Sequence, residues 1–316
     1  MGAPQDWPRW RVLLPHVLAA AGHYPLHSFA NGSAHGAGFD GGSGQVAWLL
    51  ELAGAYLQLH GEPAAARPLI QRALAIDAAA DGPDHPRVAT RLSLLALVDR
   101  ELGDPAAARP LIERALAIDE ATHGPDHPDV AIRLSVLAGV LRELGDPAAA
   151  RPLIERALAI DEAAHGPDHP RVAIRLSVLS AVLQDLGDPA AARPLAERAL
   201  AITEAAYGAA HPNDLSIVMS VLASVLRDLG DPTAARPLAE RALAITEATY
   251  GLGHPRVAAR LGVLATVLGD IGDPAARALT ERASVIARSA YGLDHSITRH
   301  LNGLIESMPQ EPGANV

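Results

Sequence analysis

The chain has 316 residues, of which 49% are hydrophobic but only 3% aromatic, and its formal net charge is −10. It contains no cysteine, which excludes disulfide frameworks, cysteine-ligated zinc and thiol catalysis. It also contains no lysine, so arginine supplies all 26 of its side chains that are positively charged at neutral pH. The acidic balance, without any basic block, argues against a nucleic-acid partner and against an anionic membrane.

The first 44 residues are predicted to form a short helical segment and a linker. The apolar stretch at 12–21 is interrupted by Pro15 and is too short to span a bilayer. No convincing small-residue cleavage site accompanies it, so we expect a soluble, cytoplasmic protein. We predict a helical segment over residues 1–21 and a flexible Gly/Ser-rich linker over residues 22–44.

An internal repeat of 42 residues dominates the rest of the chain. A phrase that begins Gly-Asp-Pro in its clearest copies starts at Gly61, Gly103, Gly145, Gly187, Gly230 and Gly272. A second phrase, His-Pro in most copies, starts at His85, His127, His169, His211, His254 and His295. The steps are 42 residues, except for one step of 43 in each series and one of 41 in the second. Such regular recurrence indicates an array of identical supersecondary units.

Each unit is predicted to form two helices. Apolar residues recur at helical spacing between Pro128 and Leu144, and Gly145 suits a left-handed helix stop. Asp146 then suits an N-cap and Pro147 the first helical position of the second helix. No single pair could bury its apolar stripes alone, so the pairs must stack. We therefore predict an all-α, right-handed solenoid of six helix pairs over residues 45–308, with an N-terminal helix, a C-terminal capping helix and a disordered tail over 309–316.

The repeat resembles the tetratricopeptide repeat (TPR). The resemblance rests on the spacing Leu134-x2-Leu137-Ala138-x2-Leu141, followed by Ala150-x3-Ile154-x2-Ala157. The length of 42 residues, with Arg-Ala-Leu-x-Ile and Gly-x-Asp-His-Pro, is similar to the kinesin-light-chain type. The resemblance implies a non-catalytic scaffold or sensor that binds a protein or peptide segment in a concave groove, without a cofactor.

The N-terminal residues carry a second, looser resemblance. The phrases Trp7-Pro8-Arg9-Trp10, Leu13-Leu14-Pro15-His16 and Trp48-Leu49-Leu50 are similar to the entry of repeat arrays in bacterial STAND-type (NB-ARC) signalling ATPases. The chain has no phosphate-binding loop of the G-x-x-x-x-G-K-[ST] type, and without lysine it could not have one. This resemblance implies either a sensor array separated from its ATPase or a relative that has lost it.

Three rows of side chains on the first helices are the candidate peptide-binding groove, because the first helix of each pair lines the concave face in such arrays. The first row contains Ser93, Ser135, Ser177 and Ser220, with Gly262. The second row contains Gly139 and Ser224, with Leu97, Ala181 and Thr266. The third row contains Arg100, Arg142, Gln184 and Arg227, with Gly269. Arginine would contact acidic groups of a peptide and serine its backbone. The alternative is that the serines pack between helices and the charges form a solvated face.

The repeated histidines are predicted to pack or cap at helix starts. A metal site of His123, Asp126 and His127, or of His165, Asp168 and His169, is the less favoured interpretation. The reason is that a tyrosine takes the place of His123 and His165 in other copies, at Tyr207, Tyr250 and Tyr291. No metal site and no catalytic residue are therefore predicted.

Asp99 is the other irregularity, because it occupies the position that is leucine at Leu141, Leu183, Leu226 and Leu268. A buried lone carboxylate is costly, so we expect an arginine partner or a place near an edge.

An alternative function is an enzyme or small-molecule-binding protein. Its pocket would be closed by the N-terminal segment over the first repeats, where Trp7, Trp10, Trp48 and Tyr56 form the only aromatic-rich region.

Overall fold

The computed structural model describes residues 12, 14–16, 19, 42–207, 211–293 and 295–308. These residues form α-helices joined by short loops and contain no strand, so the predicted all-α class is confirmed. The chain divides into two compact units, Met1–Pro167 and Asp168–Val316. The predicted tail over 309–316 lies outside the described residues.

Among its described residues, the first unit contains three helix pairs over 42–165. Its helices are α1 (Gly42–Leu59), α2 (Pro63–Asp81), α3 (Pro86–Glu101), α4 (Pro105–His123), α5 (Pro128–Glu143) and α6 (Pro147–His165). The partners α1–α2, α3–α4 and α5–α6 pack together, and successive pairs stack through α2–α3 and α4–α5. Helix α1 begins at Gly42, inside the predicted linker, whereas residues 22–41 lie outside the described residues. Leu14, in the N-terminal segment, packs against a core cluster that contains Tyr56 and Leu57.

In the part of the second unit that the structure describes, there are three more pairs and a final helix. Its helices are α7 (Pro170–Asp185), α8 (Pro189–Tyr207), α9 (Pro212–Asp228), α10 (Pro232–Tyr250), α11 (Pro255–Asp270), α12 (Ala275–Tyr291) and α13 (Ser296–Ser307). Successive pairs stack through α8–α9 and α10–α11, and α13 packs on α12 as the predicted cap. The prediction of stacked helix pairs is thus confirmed within each unit.

The helix boundaries follow from residues that recur in each repeat. Asp104 and Asp146 are N-caps, and each side chain accepts a hydrogen bond from the backbone N–H three residues later. Proline occupies the first turn of these helices, where its missing N–H costs nothing. Gly103 and Gly145 follow the preceding helices and have φ angles of 80° and 82°. Residues with a side chain rarely adopt such positive φ angles, whereas glycine does so without strain. Local sequence therefore sets where each helix begins and ends.

Small and large apolar residues alternate in the core. Ala108, Ala115, Ala150 and Ala157 are fully buried and allow close approach of the helices. Isoleucine and leucine fill the remaining space, with Ile112, Leu134 and Ile154 fully buried. Leucine and isoleucine side chains in such positions each contribute on the order of 2 kcal/mol by leaving water. This packing explains how a chain so poor in aromatic residues forms a core.

Buried ion pairs also join neighbouring helix pairs in the first unit. Arg91 on α3 donates from Nε to Asp77 on α2 at 2.9 Å, and Arg133 on α5 donates from Nε to Asp119 on α4 at 2.8 Å. Both aspartates are about 1% exposed. Arg91 is also paired with Glu51 on α1. The same guanidinium position is therefore neutralised by a carboxylate in two consecutive repeats.

Within the part of the chain that the structure describes, no helix combines the length and the apolar content needed to cross a bilayer.

Candidate functional site

First helices of consecutive pairs contact one another, and they carry the predicted rows. Helix α3 contacts α5 in the first unit, and α9 contacts both α7 and α11 in the second. The rows therefore run across neighbouring helices within each unit. We call the surface formed by these rows the first-helix face of each unit.

The serine row is mostly buried. Ser93, Ser135, Ser177 and Ser220 are 3 to 8% exposed. The hydroxyls of Ser177 and Ser220 donate to the carbonyls of Ala173 and Ser216, one turn earlier in their own helices, at 2.9 and 2.8 Å. The hydrogen-bond donors of these two hydroxyls are therefore used within their own helices. This fits the packing interpretation better than contact with a peptide backbone.

The third row forms polar bridges between consecutive first helices. Arg100 on α3 binds Glu143 on α5 with donor–acceptor distances of 2.5 and 3.0 Å. Gln184 on α7 donates to Asp228 on α9 at 2.7 Å. Arg227 also pairs with Asp228, at 2.6 Å. The row is therefore a ladder of bridges and not a set of independent charges.

Gly139 and Arg142 lie beside this ladder on α5. A Cβ atom on Gly139 would stand 2.9 Å from Nη2 of Arg100, so the glycine gives the Arg100 guanidinium room to cross the second row. Arg142 is exposed. These positions combine a small residue with charged neighbours.

A pocket of about 420 Å³ opens on the first-helix face of the second unit. Ser224 and Arg227 line it from α9, Gly262 and Thr266 from α11, and Leu301 from α13, among others. All three predicted rows contribute a residue, and most of the lining is apolar. The volume lies within the range of sites that bind small ligands or single anchoring side chains.

The sequence reasoning missed the contribution of α13. Ile297, Leu301 and Leu304 line the pocket together with Ser296 and His300. The spacing of four and three residues between these apolar residues marks one helix face, which was the signal available in the sequence. Leu301 is 3% exposed, whereas Ile297 is 37% exposed. The cap thus closes one wall of the pocket as well as ending the stack.

The histidine ladder is structural, as predicted, in most copies. His127 is the N-cap of α5, and its Nδ1 accepts from the backbone N–H of Asp129 at 3.2 Å. The equivalent caps are His85, His169, His254 and His295, whereas His211 makes no side-chain cap bond. His127 stacks on His123 with ring centroids 4.6 Å apart, and the tyrosine pairs Tyr250–His254 and Tyr291–His295 show similar separations of 4.7 and 4.4 Å.

One group of side chains in the described part of the chain has the composition of a metal site. His123, His127 and Asp129 bring one ligand atom each within 4.8 Å of the others. Asp129 thus takes the place that the sequence reasoning gave to Asp126. Because Nδ1 of His127 already accepts a backbone N–H, only Nε2 of that ring remains for a cation. Stacking and capping therefore account for the geometry of both histidines.

Tyr56, an aromatic residue of the first repeat, lies in the core. Tyr56 is 5% exposed and its ring lies 4.0 Å from that of His60. Trp48 is 46% exposed on α1, and Trp7 and Trp10 lie outside the described residues. Tyr56 is consequently a core residue, and the alternative of a pocket under the N-terminal segment gains no support from it.

Comparisons with known proteins point to one family. The family model described as tetratricopeptide repeat matches residues 45–121, 94–163, 134–205 and 214–276. No curated protein matches the sequence.

Solved structures agree on the fold. A variant of the nearly identical TPR-like repeats of a Podosopora anserina kinesin light chain is 25% identical, with a TM-score of 0.50, and the match covers 65% of this chain and 97% of that one. BtubC (BKLC) from P. vanneervenii is 23% identical, with a TM-score of 0.54 and coverage of 79% and 94%. A Rap protein complexed with competence and sporulation factor is 12% identical, with a TM-score of 0.63 and coverage of 96% and 86%.

Proposed function

This chain belongs to the tetratricopeptide repeat family, and from that premise we propose that it is a non-catalytic scaffold or sensor that binds a peptide segment of a partner protein. The repeats are similar to those of kinesin-light-chain-like proteins. The groove assignment rests on the first-helix faces, where the rows of small and charged residues run from helix to helix.

The pocket in the second unit is the observation that carries the proposal. Its apolar lining, with Ser224, Thr266 and Arg227 among its few polar groups, suits one apolar side chain of an extended or helical peptide. Buried apolar anchors of this kind supply most of the affinity in protein interfaces. Gly262 in its floor leaves the space that a larger residue would fill.

The test begins with peptides selected from a displayed random library against the full chain. Gly262→Leu is expected to weaken the binding of a selected peptide about tenfold or more, because the added side chain occupies the pocket. Gly262→Ala is the matched control: its Cβ would lie 3.6 Å from the nearest atom of Leu301, an ordinary contact, so it should bind nearly as the unchanged protein does.

Charge supplies a second arm of the same experiment. Arg227→Glu and Arg142→Glu are each expected to weaken the binding of a peptide that contacts their unit. Arg193 is an exposed residue of the second helix α8, so Arg193→Glu should leave the affinity unchanged. Equal affinities for Gly262→Leu and Gly262→Ala, with no loss in either groove arginine variant, would reject the assignment.

A further inference from the structure

Arg260 departs from the ion-pairing pattern of the repeat. It stands on α11 at the position that Arg91 and Arg133 hold on α3 and α5. In those two arginines Nε donates to a buried aspartate, but Nε of Arg260 is buried without a hydrogen-bond partner. No described residue forms an ion pair with Arg260.

The missing partners can be traced in the sequence. Thr246 occupies the position of Asp77 and Asp119, and its hydroxyl donates to the carbonyl of Ala242 at 2.8 Å. Ser220 occupies the position of Glu51, which pairs with Arg91 in the first unit. Arg91 is flanked by two carboxylates, whereas the equivalent positions around Arg260 carry small hydroxyl residues. Because serine is much shorter than glutamate, the position of Glu51 is also left with a smaller side chain beside Arg260.

A second arginine in the same helix also lacks an acid. Arg256 corresponds to Arg87, which pairs with Asp81 at 3.2 Å, but position 250 carries tyrosine instead of an acid. Nη1 of Arg256 donates to the Tyr250 hydroxyl at 2.6 Å and to Oδ1 of Asn213 at 3.0 Å. Both partners are uncharged, so the positive charge of Arg256 is not compensated by them.

The two charges influence each other. Burial lowers the pKa of Arg260 to about 10, and the positive charge of Arg256 contributes in the same direction. A guanidinium remains fully protonated at neutral pH even so, and an uncompensated pair of arginines favours an anion. Arg260 as a residue is partly exposed, so part of its side chain is open to solvent.

We propose that Arg260 and Arg256 bind a carboxylate supplied from outside the chain, at the position that Glu51 takes beside Arg91. A carboxylate is favoured over other anions because the equivalent arginines of this protein bind carboxylates at 2.8 and 2.9 Å. This inference does not depend on the pocket or on peptide binding there.

The test uses the full chain and glutarate as the probe, with sodium chloride at equal ionic strength as the reference. At glutarate concentrations tenfold above Kd, the melting temperature should rise by about 3 °C. Arg260→Met should abolish this rise, and in chloride it should melt at or above the temperature of the unchanged protein because it removes an unpaired buried cation. Arg236→Met, which alters an exposed pair on α10, should retain the rise.

Ser220→Glu supplies the missing carboxylate from within the chain. It is expected to raise the melting temperature in chloride and to make the protein insensitive to glutarate. An equal response to glutarate in the unchanged protein and in Arg260→Met overturns the proposal, as does no response in either. A rise with inorganic phosphate but none with glutarate would also overturn it, since the site would then select a different anion.

Discussion

Replacing Arg91 with methionine is expected to lower the free energy of unfolding by about 3 kcal/mol. The substitution removes the guanidinium but retains most of the apolar stem, so packing changes little. Asp77 is only 1% exposed, and the substitution removes the arginine that neutralises its charge. A buried carboxylate without a partner has lost its hydration and gains no hydrogen bond or ion pair to offset that loss. Removing one half of a buried ion pair is therefore strongly destabilising.

The pH dependence gives this prediction a second readout. Burial raises the pKa of Asp77, and Arg91 opposes that rise. Without Arg91 the folded-state pKa should rise further, so the folded protein binds the proton more tightly than the unfolded chain does. The destabilisation by Arg91→Met should therefore be largest near neutral pH and should shrink as the pH falls toward the ordinary carboxyl range.

Arg109→Met is the matched control for burial. Arg109 pairs with Glu113 at 2.7 Å, as close as the buried pair, but both side chains are about half exposed. Because water solvates both charges before and after the change, we expect no measurable effect on the midpoint of denaturation by urea. Comparable losses for Arg91→Met and Arg109→Met would contradict the role assigned to burial.

The sequence was sufficient for the fold because the signals that specify it are local. Gly145, Asp146 and Pro147 form a helix stop, a cap and a first turn within three residues, and all three behave as predicted. Apolar spacing within each helix then determines which face is buried. Repetition strengthens every such inference, because one interpretation must hold in each copy.

The groove could be predicted only in part, because side-chain partners depend on contacts between helices. The repeat places the serine row on the first helices, but only coordinates show that Ser177 and Ser220 donate to their own helices. The orientation of α13, and hence the wall formed by Leu301, depends on how the last pair packs. The Asp77–Arg91 pairing could have been recognised, since aspartate and arginine recur 14 residues apart at Asp119 and Arg133.

Asp99 was expected to have an arginine partner or to lie near an edge, and Arg67 on α2 is its partner, with Nε 2.7 Å from Oδ1. The reason lies in a second departure from the repeat. Arginines at the equivalent position pair with a glutamate four residues later, as Arg109 does with Glu113, but position 71 is glutamine. Arg67 therefore turns to Asp99, and the hydrogen bond to Asp99 raises the pKa of Arg67.

Asp99→Leu is expected to raise the free energy of unfolding by about 1 kcal/mol, because replacing a buried charge with an apolar residue that fits removes its desolvation cost. Leucine fills the equivalent position at Leu141, Leu183, Leu226 and Leu268, each 4 to 7% exposed. Arg67→Met should instead lower it by about 2 kcal/mol, less than Arg91→Met, since Arg67 is 43% exposed and solvent already screens its charge.

Adding Gln71→Glu to Asp99→Leu restores both repeat residues together. Arg67 then regains the partner that its equivalents have, so the double variant should be slightly more stable than Asp99→Leu alone. Urea denaturation of the three variants measures these differences directly. A lower stability of Asp99→Leu than of the unchanged protein would show that this carboxylate is required where it stands, and that the first repeat has been adapted around it.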